Sequence, residues 1–311
     1  METRVVGTRR PIDLGLTLGP LRHGGRRDPS VRIGPDGVWR AYDTSAGAAT
    51  VHLRSTGPTT VAASAWGPGS EAALDGVAAL LGAGDDPPSL GGIHPLVTEL
   101  EKRMPGLRIG RTGAVLDSLV PTVLAQKVIG IEASSSYVAM VRAARRPTPV
   151  LHAGSVDGFG HFAPLLLPPE PRWLMSTPYW TFHRWGIEQR RTATIKTAAS
   201  HASRLAEAAH LPIGEARARL LALPGVGEWT VNAVAMQALG DADAVNVGDY
   251  WLKHHVCFAL TGEARGTDER MLELLEPWKG QRGRVCRLLM IGGPRLPRFG
   301  PRVSLRKIAA H

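Results

Sequence analysis

Two stretches of the chain have residue types and spacing that could do chemistry. The first is Leu223-Pro224-Gly225-Val226-Gly227-Glu228-Trp229-Thr230, where two glycines stand one residue apart between two helical patterns. Glycines so placed permit a tight turn with positive φ. Such a turn leaves backbone N–H groups unpaired at a helix start. Those donors, with the helix dipole, make an anion site that needs no side-chain charge. A phosphate held this way is gripped without its sequence being read. An ordinary glycine-rich corner between two helices would use the same residues. The second stretch is Val245-Asn246-Val247-Gly248-Asp249-Tyr250-Trp251-Leu252-Lys253, which places Asp249 22 residues after Gly227. A single carboxylate can stabilise developing positive charge and orient or activate water. Taken alone, an Asp ahead of an aromatic helix start is equally a helix cap.

Other residue types narrow the chemistry. Two cysteines, Cys257 and Cys286, exclude a disulfide framework, a Cys-rich zinc site and a four-thiolate cluster. The histidines never form the HExxH spacing, so no metal site is expected, and His254 and His255 read as ordinary helix residues. Five aromatics fall within thirteen residues: Trp173, Tyr179, Trp180, Phe182 and Trp185. They suit a stacking pocket or a packed core under a loop.

The formal charge is +10, unevenly spread. Residues 282–311 hold eight Arg or Lys and no acid, while residues 1–32 hold seven Arg against three acids. A basic tail beside a near-neutral body is the footprint of a polyanion binder. Arg295, Arg298 and Arg302 are the candidate backbone contacts there. No run of apolar residues is long enough for a spanning helix, and the Arg-rich start is a poor secretory signal. The expectation is a cytoplasmic, nucleoid-associated protein.

The elements that must position these residues divide the chain. Residues 1–84 read as β-rich, with strands over 38–42, 50–54 and 59–66 and a helix over 71–81. Asp85-Asp86-Pro87-Pro88 and Gly91-Gly92 mark a linker over 85–94. Residues 95–291 read as helical, with helices over 95–103, 116–128, 134–144, 188–209, 214–221, 228–239, 250–260, 267–275 and 284–291. A Pro-rich loop is expected over 145–170 and an extended tail over 292–311.

With the hairpin and the acid in this order, residues 113–291 resemble the helix–hairpin–helix DNA glycosylase superfamily. The hairpin is similar to that of its 3-methyladenine DNA glycosylase II branch. Leu119 to Gln126 resembles the helix before the family's DNA wedge, and Glu276-Pro277-Trp278-Lys279 its late Pro-aromatic-basic signature. Residues 1–84 resemble the small α/β domain this branch carries in front. The resemblance implies a mostly α fold with an N-terminal α/β domain. It implies double-stranded DNA as partner, a monomer without nucleotide cofactor, and release of an alkylated purine by base flipping. Asp249 would be the catalytic carboxylate. Leu223, Gly225, Val226, Gly227 and Thr230 would hold a phosphate, with a monovalent cation at the hairpin. Gln126 or Lys127 would fill the gap left by the flipped base, Gln126 being the better match. Trp229, Tyr250, Trp251, Trp180 and Ala233 would line the base pocket. Trp229 stands where bifunctional relatives carry a Schiff-base lysine, which implies a monofunctional enzyme. Gly248 replaces a second acid, and no late pocket aromatic stands near Leu288 to Met290, which implies a differently shaped pocket. The rivals are a non-catalytic DNA-binding protein built on the same hairpin and a glycosylase for oxidised or mismatched bases.

Overall fold

The computed structural model describes residues 1–149 and 164–296. Five antiparallel strands come first: β1 (Glu2–Gly7), β2 (Val31–Gly34), β3 (Gly37–Thr44), β4 (Gly47–Gly57) and β5 (Thr60–Trp66), in the order β1-β5-β4-β3-β2. Every second residue makes the inner face. Ala49, Val51 and Leu53 of β4 run beside Val61, Ala63 and Ala65 of β5, and all are buried. Three short helices, α1 (Leu14–Leu18), α2 (Ser70–Asp75) and α3 (Val77–Leu80), cover that face through Leu18, Leu74, Val77 and Leu80. The expected strands over 38–66 are present. β1 is an edge strand with five of its six residues exposed, so it shows no alternation to read. The helix expected over 71–81 breaks at Gly76.

The rest is helical: α4 (Pro95–Arg103), α5 (Val115–Leu124), α6 (Gly130–Ala144), α7 (Pro171–Ser176), α8 (Tyr179–Arg184), α9 (Gln189–Ser200), α10 (Ala202–Ala208), α11 (Ile213–Leu221), α12 (Glu228–Val234), α13 (Leu252–Thr261), α14 (Asp268–Leu275) and α15 (Arg282–Gly292). The helix expected over 188–209 is two, because His201 leaves helical geometry and its Nδ1 turns back to the Thr197 carbonyl. The helix expected over 228–239 passes from α12 into a π turn, Ala235–Leu239. No helix among the described residues is long and apolar enough to cross a membrane.

These helices form two cores. One joins α5 to α12 around Leu119, Met140, Phe182, Leu220 and Val231. The other joins α4 to α13, α14 and α15 around Leu100, Val256, Met271 and Leu289. The chain crosses between them after Ala244, which belongs to the first core, while Val245 belongs to the second. Residues 85–94 are packed into the second core: Leu90 is buried, and the Trp278 indole N–H donates to its carbonyl at 3.0 Å. Asp85 pairs with the buried Arg108 and Arg284. The late signature residue Trp278 is thus a core and bracing residue.

Asp117, in the first turn of α5, is half-buried. Burial raises its carboxyl pKa to about 6; Arg40 and Arg146 oppose this, and Asp43 adds to it. An acid whose folded pKa is raised costs stability once the unfolded carboxyl ionises. That cost is absent below pH 3.8, grows as pH rises to about 6, and is complete above. Asp117→Asn is therefore expected to stabilise the protein by about 1–2 kcal/mol at pH 7, allowing for partial solvent screening. At pH 3.5 the gain should vanish. Denaturant unfolding at the two pH values checks both halves.

Candidate active site

The hairpin between α11 and α12 is shaped by Gly225, whose φ is +83°. A Cβ there would stand 2.2 Å from Thr194 Oγ1 on α9, so only glycine fits. Leu223 and Val226 are buried and anchor the turn; the Val226 N–H donates to the Leu223 carbonyl at 3.1 Å. Gly225 and Gly227 are exposed. The first helical bond of α12 runs from the Val231 N–H to the Gly227 carbonyl. The amides of Glu228, Trp229 and Thr230 therefore have no helical acceptor and point out of the helix start. The Leu223 and Gly225 carbonyls each keep a lone pair beyond the bond they accept.

Gln126, at the end of α5, is tied to this hairpin. Its Nε2 donates to the Gly225 carbonyl and to Thr230 Oγ1, both at 3.0 Å. Arg191, buried at 2% exposure, fixes the end of α5 by donating to the Leu124 carbonyl at 2.7 Å and the Gly186 carbonyl at 3.2 Å. Lys127 follows in the left-handed region, φ +56°, and is exposed at the tip of the turn. Gln126, the preferred wedge, thus has its amide bonded to the hairpin, and Lys127 is the side chain presented outward. Its backbone strain costs about 1 kcal/mol.

Asp249 sits where the chain crosses between the two helical cores. Its Oδ1 accepts from the backbone N–H groups of Trp251 and Leu252, both at 2.9 Å, so it caps α13. Its Oδ2 accepts from the Trp229 indole N–H at 3.1 Å. The carboxylate is therefore cap and pinned anion at once. Three donors fix its plane and leave one lone pair of Oδ2 unclaimed by protein.

A cavity of about 310 Å³ opens beside Asp249, a size suited to a small ligand. Asn246, Met236 of the π turn, Leu252, Arg287 and Met290 line it with Asp249. None of its lining residues is aromatic. The residues expected to line a base pocket are not among those that line this cavity. Trp229 supports the acid from outside the cavity. Tyr250 and Trp251 meet edge to face at 4.9 Å and lie 70% and 56% exposed, because they precede the first turn of α13 and face solvent. Trp180 is exposed on α8, which turns Phe182 into the core instead. Ala233 is half-buried on α12. Trp173 and Trp185 stack at 5.6 Å against the same core as Phe182, so most of the aromatic cluster is packing.

The sequence reading missed Asn246, Met236 and Arg287. The trace was present for Arg287: one cation stands inside the apolar run Val285 to Ile291. Arg295 is exposed just after α15, and Arg298 and Arg302 lie outside the described residues. No group of three or more metal-ligating side chains occurs among the described residues.

Across nearly its whole length the chain superimposes on the 3-methyladenine DNA glycosylase from Archaeoglobus fulgidus, with a TM-score of 0.72 at 16% identity, covering 92% of this chain and 97% of that one. It also matches the 8-oxoguanine glycosylase/lyase of Clostridium acetobutylicum, with a TM-score of 0.67 at 13% identity over 93% and 96%. The chain has the helix–hairpin–helix DNA glycosylase fold. The fold expected from the sequence is therefore borne out. In sequence the chain is similar to the probable bifunctional transcriptional activator/DNA repair enzyme AlkA of Mycobacterium tuberculosis, 31% identical over 169 residues. That match covers 52% of this chain and 31% of the relative, so the chain spans about a third of the curated relatives' length. No family model matches the chain.

Proposed function

We propose that the chain is a monofunctional DNA glycosylase that removes alkylated purines from duplex DNA. The observation that carries this is Asp249, pinned by three N–H donors at the mouth of a base-sized cavity, with the hairpin bonded to the same framework through Trp229 and Thr230. Exposed amides at the hairpin would hold a backbone phosphate, as the positive end of a helix favours. The nucleotide would rotate out of the stack, since the bond to be cut is unreachable inside the duplex. The N–C1′ bond then breaks, and its electron pair leaves with the base. Positive charge on the sugar is balanced by the Asp249 carboxylate. Water adds to C1′ and its proton passes to Asp249 or to solvent. Trp229 occupies the place of a Schiff-base lysine, and Lys253 is engaged with Asp268 at 3.0 Å, which supports hydrolysis without strand cleavage. The protein would act as a monomer.

The test is base release from duplex oligonucleotides that each carry one alkylated purine, read by mass spectrometry. Release of free base, with strand breaks only after alkali, is expected. Binding without release from any lesion would return Asp249 to a helix cap and leave a DNA-binding module. Trp229→Phe keeps the ring and removes the N–H that steadies Oδ2. We expect base release to slow about tenfold, the worth of one charge-assisted hydrogen bond, with DNA affinity unchanged by fluorescence anisotropy.

A further inference from the structure

The path from α7 through α8 into α9 carries a surface that base removal leaves unused. On α8, Trp180 and Arg184 stand four residues apart, as do Tyr179 and His183, so the two pairs form adjacent rows on one side of the helix. Phe182 faces the other way, into the core. Trp180 is 66% exposed, and Tyr179 and, on α7, Met175 are exposed as well. The Tyr179 ring lies 6.0 Å from that of His183. Large rings normally go to burial, and a group of them left in solvent marks a binding surface.

The charge of this surface has one sign. Residues 171–187 contain Arg172, His183 and Arg184 and no Asp or Glu. The acids that flank them are engaged, Glu170 with Arg146 at 2.8 Å and Glu188 with Arg191 at 3.5 Å. Arg172, Arg184 and the next cation, Arg190, are exposed. The surface is also continuous with the hairpin. The Gly186 carbonyl, just past α8, is held by the same Arg191 guanidinium that holds the end of α5. On α9, Arg190 stands one turn before Thr194, which packs against Gly225. Hairpin, Arg190 and the rings of α8 are thus joined through one packed framework.

A flat ring shown to solvent among arginines recognises a base by its face, while the cations take the phosphates. Inside a duplex both faces of a base are covered by its neighbours. Only an unpaired base has a face to offer. A protein partner would call for a core depleted of charge, and these rings are set among cations.

We propose that Trp180 and Tyr179, with Arg172 and Arg184, form a stacking platform for unpaired bases, so that the chain engages duplex DNA bordered by a single-stranded stretch, such as an overhang, a gap or a fork. This rests on the hairpin being the phosphate grip proposed above.

The experiment measures, by fluorescence anisotropy, the affinity for a blunt duplex and for the same duplex with a short run of unpaired thymines at its 3′ or its 5′ end. With one of the two polarities, the wild type should bind at least about fivefold more tightly than it binds the blunt duplex, the worth of stacking one base. Trp180→Ala should remove that gain and leave the affinity for the blunt duplex where it is. Trp180→Phe should keep most of the gain. Arg184→Ala should reduce the slope of log affinity against log salt for the overhang by about 0.7. Circular dichroism checks that each variant folds, and the wild-type comparison needs no variant. Equal affinity for the blunt and both overhanging duplexes, or a Trp180→Ala variant that keeps the gain, would overturn the proposal and leave the glycosylase reading intact. So would a wild type that self-associates in sedimentation and becomes monomeric on Trp180→Ala, because the rings would then be a contact between copies. Binding of none of these DNAs would remove the hairpin grip, and the glycosylase reading with it.

Discussion

Asp249→Asn should cut base release by about a thousandfold or more while leaving DNA binding essentially as it is. The amide keeps an oxygen to accept from the Trp251 and Leu252 backbones, so the start of α13 survives. It loses the negative charge that would face the developing oxocarbenium ion. Removing one such preorganised electrostatic contact typically costs 10²–10³, and removing the group that orients or activates water adds a further factor of the same order. Asp249→Ala is the contrasting variant. It should lose the chemistry as well and also destabilise the fold by about 1 kcal/mol through the lost cap. Single-turnover release, anisotropy and thermal melts on both variants separate the two duties of one carboxylate. Equal activity of wild type and Asn variant would remove Asp249 from the reaction.

The second large effect is expected at Gly225. Alanine there must adopt φ near +83°, which costs roughly 1–2 kcal/mol for an L residue. Its Cβ must also displace Thr194, whose Oγ1 would lie 2.2 Å away. We expect Gly225→Ala to lower stability by about 2–4 kcal/mol in total. DNA affinity should fall at least tenfold as the exposed amides leave their positions. Adding Thr194→Ala relieves the collision but not the backbone strain. The double variant should recover part of the stability, and that non-additivity is the signature of direct contact. If Gly225→Ala alone binds DNA as tightly as wild type, the hairpin is not the phosphate grip.

Much of this was legible in the sequence because it depends on local rules. The two-glycine turn before a helix and the Asp before Trp251 are short-range signals, and the structure puts both where those rules say. β4 and β5 were legible because their faces alternate. The pocket was not. Its walls come from Pro20, the π turn, the crossing segment and α15, which are far apart in sequence and meet only through two separate cores. The aromatics misled for a physical reason. A ring is as good at filling a core as at stacking on a base, and Phe182, Trp173 and Trp185 were needed for packing. α7 and α8 escaped notice because six residues give too few turns to show a period.

The bonds from Gln126 to Gly225 and Thr230, and from Trp229 to Asp249, have a mechanical consequence. Thr230 and Trp229 are neighbours on one helix turn, so on the proposed reading the part that would grip the strand and the part that would face the sugar are fastened to a single beam. Tolerances do not accumulate along a loop between them. The distance from a gripped phosphate to a reacting carbon would be gauged once, by the pitch of α12. A strand seated in the hairpin would be aligned with the carboxylate before any base left the helix.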